Sequence, residues 1–425
     1  MLSRLGLTRK SLGGSNLFIF GHFGDINIGN ESTLQALLHS LHRIRPGTKI
    51  TCICTNPTAA QRRYNISAIS MNGTVFGPPT PSSAHWAANL GRLGLRAARE
   101  VYRWIEAFRA LRGIGVLIVA GTGLLTDAYG LRQWGPYTLF KWCILAKLRG
   151  GKVLFLSVGA GPLYTRLGRR LVKCALAAAR FRSYRDNGTR EYLTSIGVPT
   201  QDDRVFPDLA FGLPHSLMPE RGMSRKARRV VGIGLMAQAE GLTIGDWGDS
   251  VQRTYLERLA TFTGWLVEND REVRLLIGDV CDVSVIGEFR KVLRRHLGQC
   301  GAARVINVTI RSVEDLLSEL ALTDVVVATR FHNVLLAFLL HKPVIAISFH
   351  QKCTSLMDDM GLAQYCEDVR NLNARNLIER FCYLEQNAEE LARHITSRVE
   401  CCRKVLEEQY ELIGTDIQVV VNEPT

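Results

Sequence analysis

The chain is short of the features that would place it in several common classes. No Cys-x-x-Cys pair occurs, and the 11 cysteines are odd in number and scattered, with Cys52/Cys54 and Cys401/Cys402 as the close pairs. That excludes a disulfide framework and zinc-finger ligand spacing, and reads as reduced thiols in a cytoplasmic protein. No uncharged apolar run approaches the ~18 residues a membrane span needs; the best, residues 334–340, stops at His341 and Lys342. The basic N-terminus lacks a continuous apolar core before a small-residue cleavage site, so it does not read as a signal peptide. No fixed-period repeat and no low-complexity tract is present. Acid is also scarce: 53 Lys+Arg against 39 Asp+Glu give +14. This excess favours an anionic partner such as a phosphorylated small molecule, an acidic polymer or a membrane surface. Nothing resembles a module that reads nucleic acid bases, so nucleic acid is not the expected partner.

What is present is core-forming material. The chain has 425 residues, of which 46% are hydrophobic, enough for two domains. Apolar strand-like runs alternate with helix-like segments: NLFIFG, KITCIC, VLIVAG, KVLFLSVG and RFRSY, then RRVVGIGL, VRLLIG, RVINVTI, TDVVVAT and KPVIAIS. Continuous apolar runs bounded by glycine and charge suit strands buried on both faces. Strand alternating with helix predicts parallel sheets with right-handed crossovers. Leu34, Leu37, Leu38 and Leu41 fall on one face of the first helix, for which Asn30 is the expected cap with Glu31 in the first turn.

The alternation breaks at residues 212–229, which hold two prolines, two glycines and five basic residues without apolar period. This is the expected linker. The organisation follows: an N-terminal segment (1–15), a Rossmann-like domain (16–211), the linker (212–229), a second Rossmann-like domain (230–385), and a long C-terminal helix with its tail (386–425), the helix itself over 386–412. Two such α/β domains enclose a cleft at the carboxyl ends of their strands, where open parallel sheets bind ligands.

Four stretches could carry chemistry there. FGHFGDINIGNEST, 20–33, leaves the first strand and opens the first helix. Gly21, Gly24 and Gly29 let backbone approach a ligand, and Asp25, Asn30 and Glu31 are polar groups beside it. A tight strand-to-helix turn explains the glycines equally well. The same two readings apply to Gly121, Thr122 and Gly123. Arg185 and Asp186 end a short strand before a helix with Asn187 as expected cap; an arginine there is a phosphate or carboxylate clamp, or the partner of a nearby acid. Last, Arg330 and His332 interrupt the apolar ATRFHNVLLAFLL, 328–340, with Thr329 as expected cap. A lone histidine is more often a satisfied core residue. An arginine two positions before it, at a strand end, favours a site. The positive field should lower the His332 pKa when empty and a bound dianion should raise it, which suits a general acid. Residues 91–112 form a basic helix carrying tryptophan and phenylalanine; it could rest on an anionic membrane or simply be solvated.

GHFGDINIGNE, SYRDNGTREYL, PDLAF at 207–211 and ATRFHNVLLAFLLHKPVIAISFHQK together resemble the polysaccharide pyruvyl transferases. In that family an N-terminal glycine/asparagine loop precedes a late Arg-x-His segment that runs into a Pro-Val-Ile-Ala strand, a Ser-aromatic pair and a lysine. Here these are Arg330, His332, Pro343, Ser348, Phe349 and Lys352. The resemblance implies a GT-B-like pair of Rossmann-like domains. It implies transfer of a pyruvyl group from phosphoenolpyruvate to two sugar hydroxyls, with ketal formation and release of phosphate. Arg330 and His332 would be the catalytic pair, and Arg185, Ser348 and Lys352 would bind the donor. Gly21, Gly24, Asp25, Gly29, Asn30, Glu31, Gly121 and Gly123 would face the acceptor, a sugar or lipid-linked oligosaccharide. No metal or cofactor is expected, and Asp25, Glu31 and Asp208 stand as alternative bases. The expected place is the cytoplasm, with peripheral contact at the inner face of the membrane left open. Two departures from the family pattern are His350-Gln351 after the Ser-aromatic pair, and Asp25-Ile26 in the first loop. The alternatives are a nucleotide-sugar glycosyltransferase of the same shape and a non-catalytic relative that binds an acidic glycan or a membrane assembly.

Overall fold

The computed structural model describes residues 16–25, 27–73, 86–127, 135–219, 228–237 and 249–418. The N-terminal segment 1–15, Ile26, the second half of the linker (220–227) and the tail from 419 lie outside the described residues.

Two parallel sheets form the frame. The first holds β1 (Asn16–Phe20), β2 (Ile50–Cys54), β3 (Ser67–Ser70), β4 (Ile114–Ala120), β5 (Lys152–Val158), β6 (Phe181–Tyr184) and β7 (Arg204–Val205), in the order 3-2-1-4-5-6-7. The second holds β8 (Val230–Gly234), β9 (Glu272–Leu276), β10 (Val305–Asn307), β11 (Val325–Ala328), β12 (Val344–Ser348) and β13 (Cys366–Asp368), in the order 10-9-8-11-12-13. Each sheet is doubly wound, and strand order reverses between β1 and β4 in one and between β8 and β11 in the other. Such reversals open a crevice at the carboxyl ends.

The central strands are buried on both faces, as crossovers require. In β4 every residue is buried. Its Leu117 and Val119 join Phe18, Phe155 and Trp142 in a core on one side; its Val116 and Ile118 join Leu17, Ile19 and Leu154 on the other. Fully burying one such aliphatic side chain is worth ~1.5–3 kcal/mol. Three strands have no counterpart among the predicted runs: β3, β7 and β13. All three are sheet edges, and only one of their nine residues is fully buried.

Helix caps differ from expectation in three places. Asn27, not Asn30, caps the first helix (Ile28–Ile44); its side chain accepts from the Asn30 N–H. Asp186, not Asn187, caps the helix Asn187–Ser195 by accepting from the Thr189 N–H at 2.6 Å. Thr329 is buried and spends its hydroxyl on Tyr255, 2.8 Å away, so Arg330 occupies the cap position of Phe331–Leu339 without a side-chain capping bond. The C-terminal helix runs Ala388–Gln418, beginning and ending later than expected.

That helix is no appendage. It packs on β4, on the 3₁₀ turn Leu209–Gly212 and on the helix Phe331–Leu339, so it straps the two halves together. Ile395, Val399, Leu406, Ile413 and Ile417 are its buried stripe. Buried Gln409 accepts from Ser183 Oγ at 2.6 Å and Ser157 Oγ at 3.2 Å. Lys152 pairs with Asp416 at 3.0 Å.

Candidate active site

The polar residues of interest all leave the carboxyl ends of strands. Asn27 and Gly29 follow β1, Arg185 follows β6, and Asp208 follows β7. Asp282 follows β9, Arg330 and His332 follow β11, and His350 and Lys352 follow β12. The two sheets therefore contribute to one place. They are joined there directly: Asn27 bridges Asp279, with Nδ2 donating to Oδ2 at 2.5 Å, and the Ile28 N–H donates to the Gly278 carbonyl at 3.0 Å.

The local fold decides which way Arg330 and His332 point. In the helix Phe331–Leu339 every residue but His332 is buried. His332 is thus the position that looks into the gap. Its ring lies against the start of the first helix, so close that a Cβ on Gly29 would stand 1.9 Å from Nδ1. Gly29 is needed for that approach, whatever else the loop does. Gly159 plays the same part for Arg185, whose Nη2 would meet a Cβ at 2.5 Å.

Arg330 is held rigidly. Nε and Nη2 donate to the two oxygens of Asp282 at 2.9 and 2.6 Å, and Nη2 also reaches Cys281 Sγ at 3.0 Å. Asp282 is fully buried and also accepts from the backbone N–H groups of Ala237, Gly278 and Asp279. Burial works against the arginine's charge, but the Asp282 carboxylate more than offsets it and holds the pKa above the ordinary value. A bidentate pair of this kind fixes a guanidinium in direction as well as charge. Among the described residues no hydrogen bond engages Nη1.

Around His332 the charges converge. Nε2 lies 4.0 Å from Asp208 Oδ2, and Arg185 Nη1 donates to the same oxygen at 3.2 Å. The Arg185 guanidinium covers the Phe331 ring at 4.7 Å and stands 3.5 Å from Asp186. His332 Nε2 is buried and has no hydrogen-bond partner among the described residues. Burial lowers its pKa to about 4; Asp208 opposes the shift, and Arg185, Lys352 and Arg330 reinforce it. The direction is the expected one, with burial rather than the positive field as the main cause. Lys352 is lowered to about 8, by burial first and then by Arg185 and Arg330. His350 is lowered to about 4 by burial, Lys352 and Arg185. Its Nδ1 accepts the Lys352 N–H at 3.2 Å and caps the helix Gln351–Asp359, which leaves the neutral ring's proton on Nε2. So the family departure at His350 adds a second imidazole, and Gln351 lies beside Gly188 of the other sheet's domain.

Other expected residues have different surroundings. Glu31 is turned inward. It accepts from the Gly24 N–H at 2.8 Å and from Tyr64, and pairs with Arg63 at 3.4 Å. Burial raises its pKa. Its visible work is to hold the glycine loop. Asp25 is exposed, and the Asn30 side chain sits in the helix's first turn, half-buried. Ser348 donates to the His350 carbonyl and contacts Thr354 Oγ1, each at 3.0 Å, which fixes the turn carrying His350. Gly21 lies under the Phe23 ring beside Thr122. Gly121 packs on the Ser157 carbonyl, a residue held at φ 46° where β5 slips register against β6. Gly123 has open space around it. Asp208 alone of the three candidate carboxylates touches the charged cluster. Sequence reasoning missed Asp282, Phe331, Gly159 and Asn27. The signal for Asp282 was present: GDVCD places two acids just past a buried strand, and a recessed arginine requires a carboxylate.

The likenesses of this chain are to one family and one fold. A family model for polysaccharide pyruvyl transferase matches residues 27–351, well over half of the chain. The amylovoran biosynthesis protein AmsJ of Erwinia amylovora is 20% identical over 417 residues, covering 88% of this chain and 93% of that one. Among solved structures, Anabaena Alr3699/HepE in complex with UDP and glucose superimposes with a TM-score of 0.59 at 14% identity, covering 93% of this chain and 99% of that one. A putative UDP-N-acetylglucosamine 2-epimerase from Listeria monocytogenes gives 0.58 at 11% identity, covering 90% of each. At these identities the structures speak for the fold alone, and that fold is GT-B-like. With the matched region opening at the cap of the first helix and closing just past His350, this chain belongs to the polysaccharide pyruvyl transferase family and is a transferase acting on polysaccharide.

Proposed function

We propose that the chain transfers a pyruvyl group from phosphoenolpyruvate to two hydroxyls of a sugar, free or carried on a lipid-linked oligosaccharide, giving a cyclic ketal and inorganic phosphate. The observation that carries this reading is the convergence, from both sheets, of three cations and one half-buried imidazole: Arg185, Lys352 and His332 near Asp208, with Arg330 held beside them by Asp282. The donor brings a carboxylate and a phosphate, and its charge exceeds what one arginine could balance. Arg185, Arg330 and Lys352 supply the cations. Asp208 is the counter-charge of Arg185 and acts on Lys352, while Asp282 is that of Arg330.

Two steps follow. In the first, a sugar hydroxyl oxygen bonds to the donor's central carbon, that hydroxyl's proton passes to a base, and the methylene carbon takes a proton to become methyl. His332 is the acid. A bound dianion favours the imidazolium, and Asp208 at 4.0 Å favours it further. In the second step the bond from the central carbon to the phosphate oxygen breaks and the second hydroxyl bonds in its place, passing its proton to the His332 imidazole left neutral by the first step. Lys352 and Arg185 stabilise the departing phosphate. Residues of the chain meet every charge in this scheme, so it calls for no metal or cofactor.

The test is phosphate release by purified protein given an acceptor sugar and phosphoenolpyruvate, with nucleotide sugars as the competing donors. Phosphoenolpyruvate-dependent release, lost in folded Arg330→Ala and His332→Ala proteins, supports the reading. Turnover of a nucleotide sugar in place of phosphoenolpyruvate overturns it.

A further inference from the structure

The helix Trp86–Ala110 carries apolar side chains on both its inward and its outward sides. Inward, Trp104, Ala107 and Ala110 meet the core beside a polar network. Trp104 Nε1 donates to the Tyr137 hydroxyl at 2.7 Å, that hydroxyl donates to Glu100 at 2.8 Å, and buried Lys141 approaches Glu100 at 3.5 Å. Among the helix residues whose burial is described, Ala107 is fully buried, with Leu111 just beyond the helix. Its outward side is apolar. Leu95, Val101, Tyr102, Ile105 and Phe108 are exposed, Val101 at 60%, and their spacing puts them on one continuous arc. Leu148, 69% exposed at the end of the neighbouring helix Gly135–Leu148, extends the patch. An apolar arc of this length normally faces a core.

The exposed charges around the arc are basic. Exposed Arg109, Arg112 and Lys147 border it, and Arg149 lies over the Phe108 ring at 3.6 Å. Residues 91–112 hold six arginines against Glu100 and Glu106, and Glu100 is already committed inward. Apolar side chains with an aromatic among them, rimmed by arginine, complement the boundary between acyl chains and anionic headgroups. The helix leads into β4, so it runs antiparallel to the strands and its Leu95 end lies toward the cleft.

We infer that this face rests on an anionic lipid surface, with Val101, Tyr102, Ile105, Phe108 and Leu148 in the interface and the arginines on the headgroups. None of these residues belongs to the candidate active site, so the inference stands or falls apart from the donor chemistry. The test is co-sedimentation of the full chain with vesicles of phosphatidylcholine alone or with about 30% phosphatidylglycerol. Binding is expected only to the anionic vesicles and should weaken as salt is raised well above ~0.15 M. Val101→Ser/Ile105→Ser and Arg109→Glu/Arg112→Glu pairs, each checked for an unchanged thermal melt, should each bind at least about tenfold more weakly. Wild type that stays in the supernatant, or pairs of variants that sediment like wild type, would overturn the inference. So would sedimentation velocity showing that the face joins two copies and that the apolar pair merely separates them.

Discussion

Donor binding should be accompanied by proton uptake in two separate ranges of pH, one for each depressed base. In the unliganded protein His332 titrates near about 4 and Lys352 near about 8. One negative charge placed about 5 Å away, at an effective dielectric near 20, is worth about 3 kcal/mol. That is roughly two units of pKa. His332 would then titrate near about 6 and Lys352 near about 10. Most of a proton should therefore be taken up near pH 5 and again near pH 9, with little near pH 7, where neither group changes state. Isothermal calorimetry in two buffers of different ionisation enthalpy reads the proton number at each pH. The donor's own phosphate also titrates, near about 6. The quantity to compare at pH 5 is accordingly the difference between wild type and His332→Gln, from which the donor's contribution cancels. At pH 9 the donor is fully ionised and the comparison with Lys352→Met is direct. Equal uptake by wild type and His332→Gln at pH 5, and by wild type and Lys352→Met at pH 9, would refute the electrostatic reasoning from which both roles are derived.

Replacing Asp208 by Asn removes the one negative charge shared by Arg185 and His332 while keeping an acceptor for the Ala210 N–H; initial rates should fall about a hundredfold with the circular dichroism spectrum retained. Gly29→Ala should separate stability from activity. Alanine is the better helix former by about 1 kcal/mol, yet its Cβ would displace the His332 ring, so turnover should drop at least about tenfold while the melting temperature changes little. Gln409→Leu leaves the Ser157 and Ser183 hydroxyls without their buried partner and should cost about 2 kcal/mol in urea unfolding. The pKa values of His332 and His350 both sit below the ordinary histidine value of 6.5, at about 4. The unfolded chain then binds more protons than the folded one between those limits, so stability is complete above about pH 6.5 and lost as pH falls toward about 4, by roughly 3 kcal/mol per group at most. His332→Gln and His350→Asn should flatten that loss in denaturant titrations at pH 7 and pH 5.

Strand by strand, legibility followed burial. β4 and β11 were readable because each is apolar at every position, and a parallel strand covered by helices has no polar face to confuse the pattern. β7 and β13 were not, because an edge strand of two or three half-exposed residues carries no periodic signal at all. The caps were misread for a related reason. In DINIGN and SYRDN several residues can cap, and which one does depends on where the strand leaves the sheet, as with Asn27 and Asp186.

The candidate site was legible in halves. Arg330 and His332 stood out as polar residues inside an apolar run, and Arg185 as a cation at a strand end. What holds them was invisible for the opposite reason: an acid in a polar loop, such as Asp282 or Asp208, looks like every other solvated carboxylate until a buried cation is brought to it. That meeting is a property of the two-sheet frame. Arg185 and Asp208 come from one sheet, His332 and Lys352 from the other, and the contacts of Asn27 with Asp279 and of Gly29 with His332 set the separation between them. A guanidinium recessed from water is costly unless a carboxylate is close, and an imidazole at the same spot gains proton affinity when a further anion arrives. The unliganded site therefore already contains the bias on which the proposed chemistry depends. Its cations are poised, its histidine is unprotonated, and the arrival of a dianion is the event that raises that histidine's affinity for the proton it must deliver.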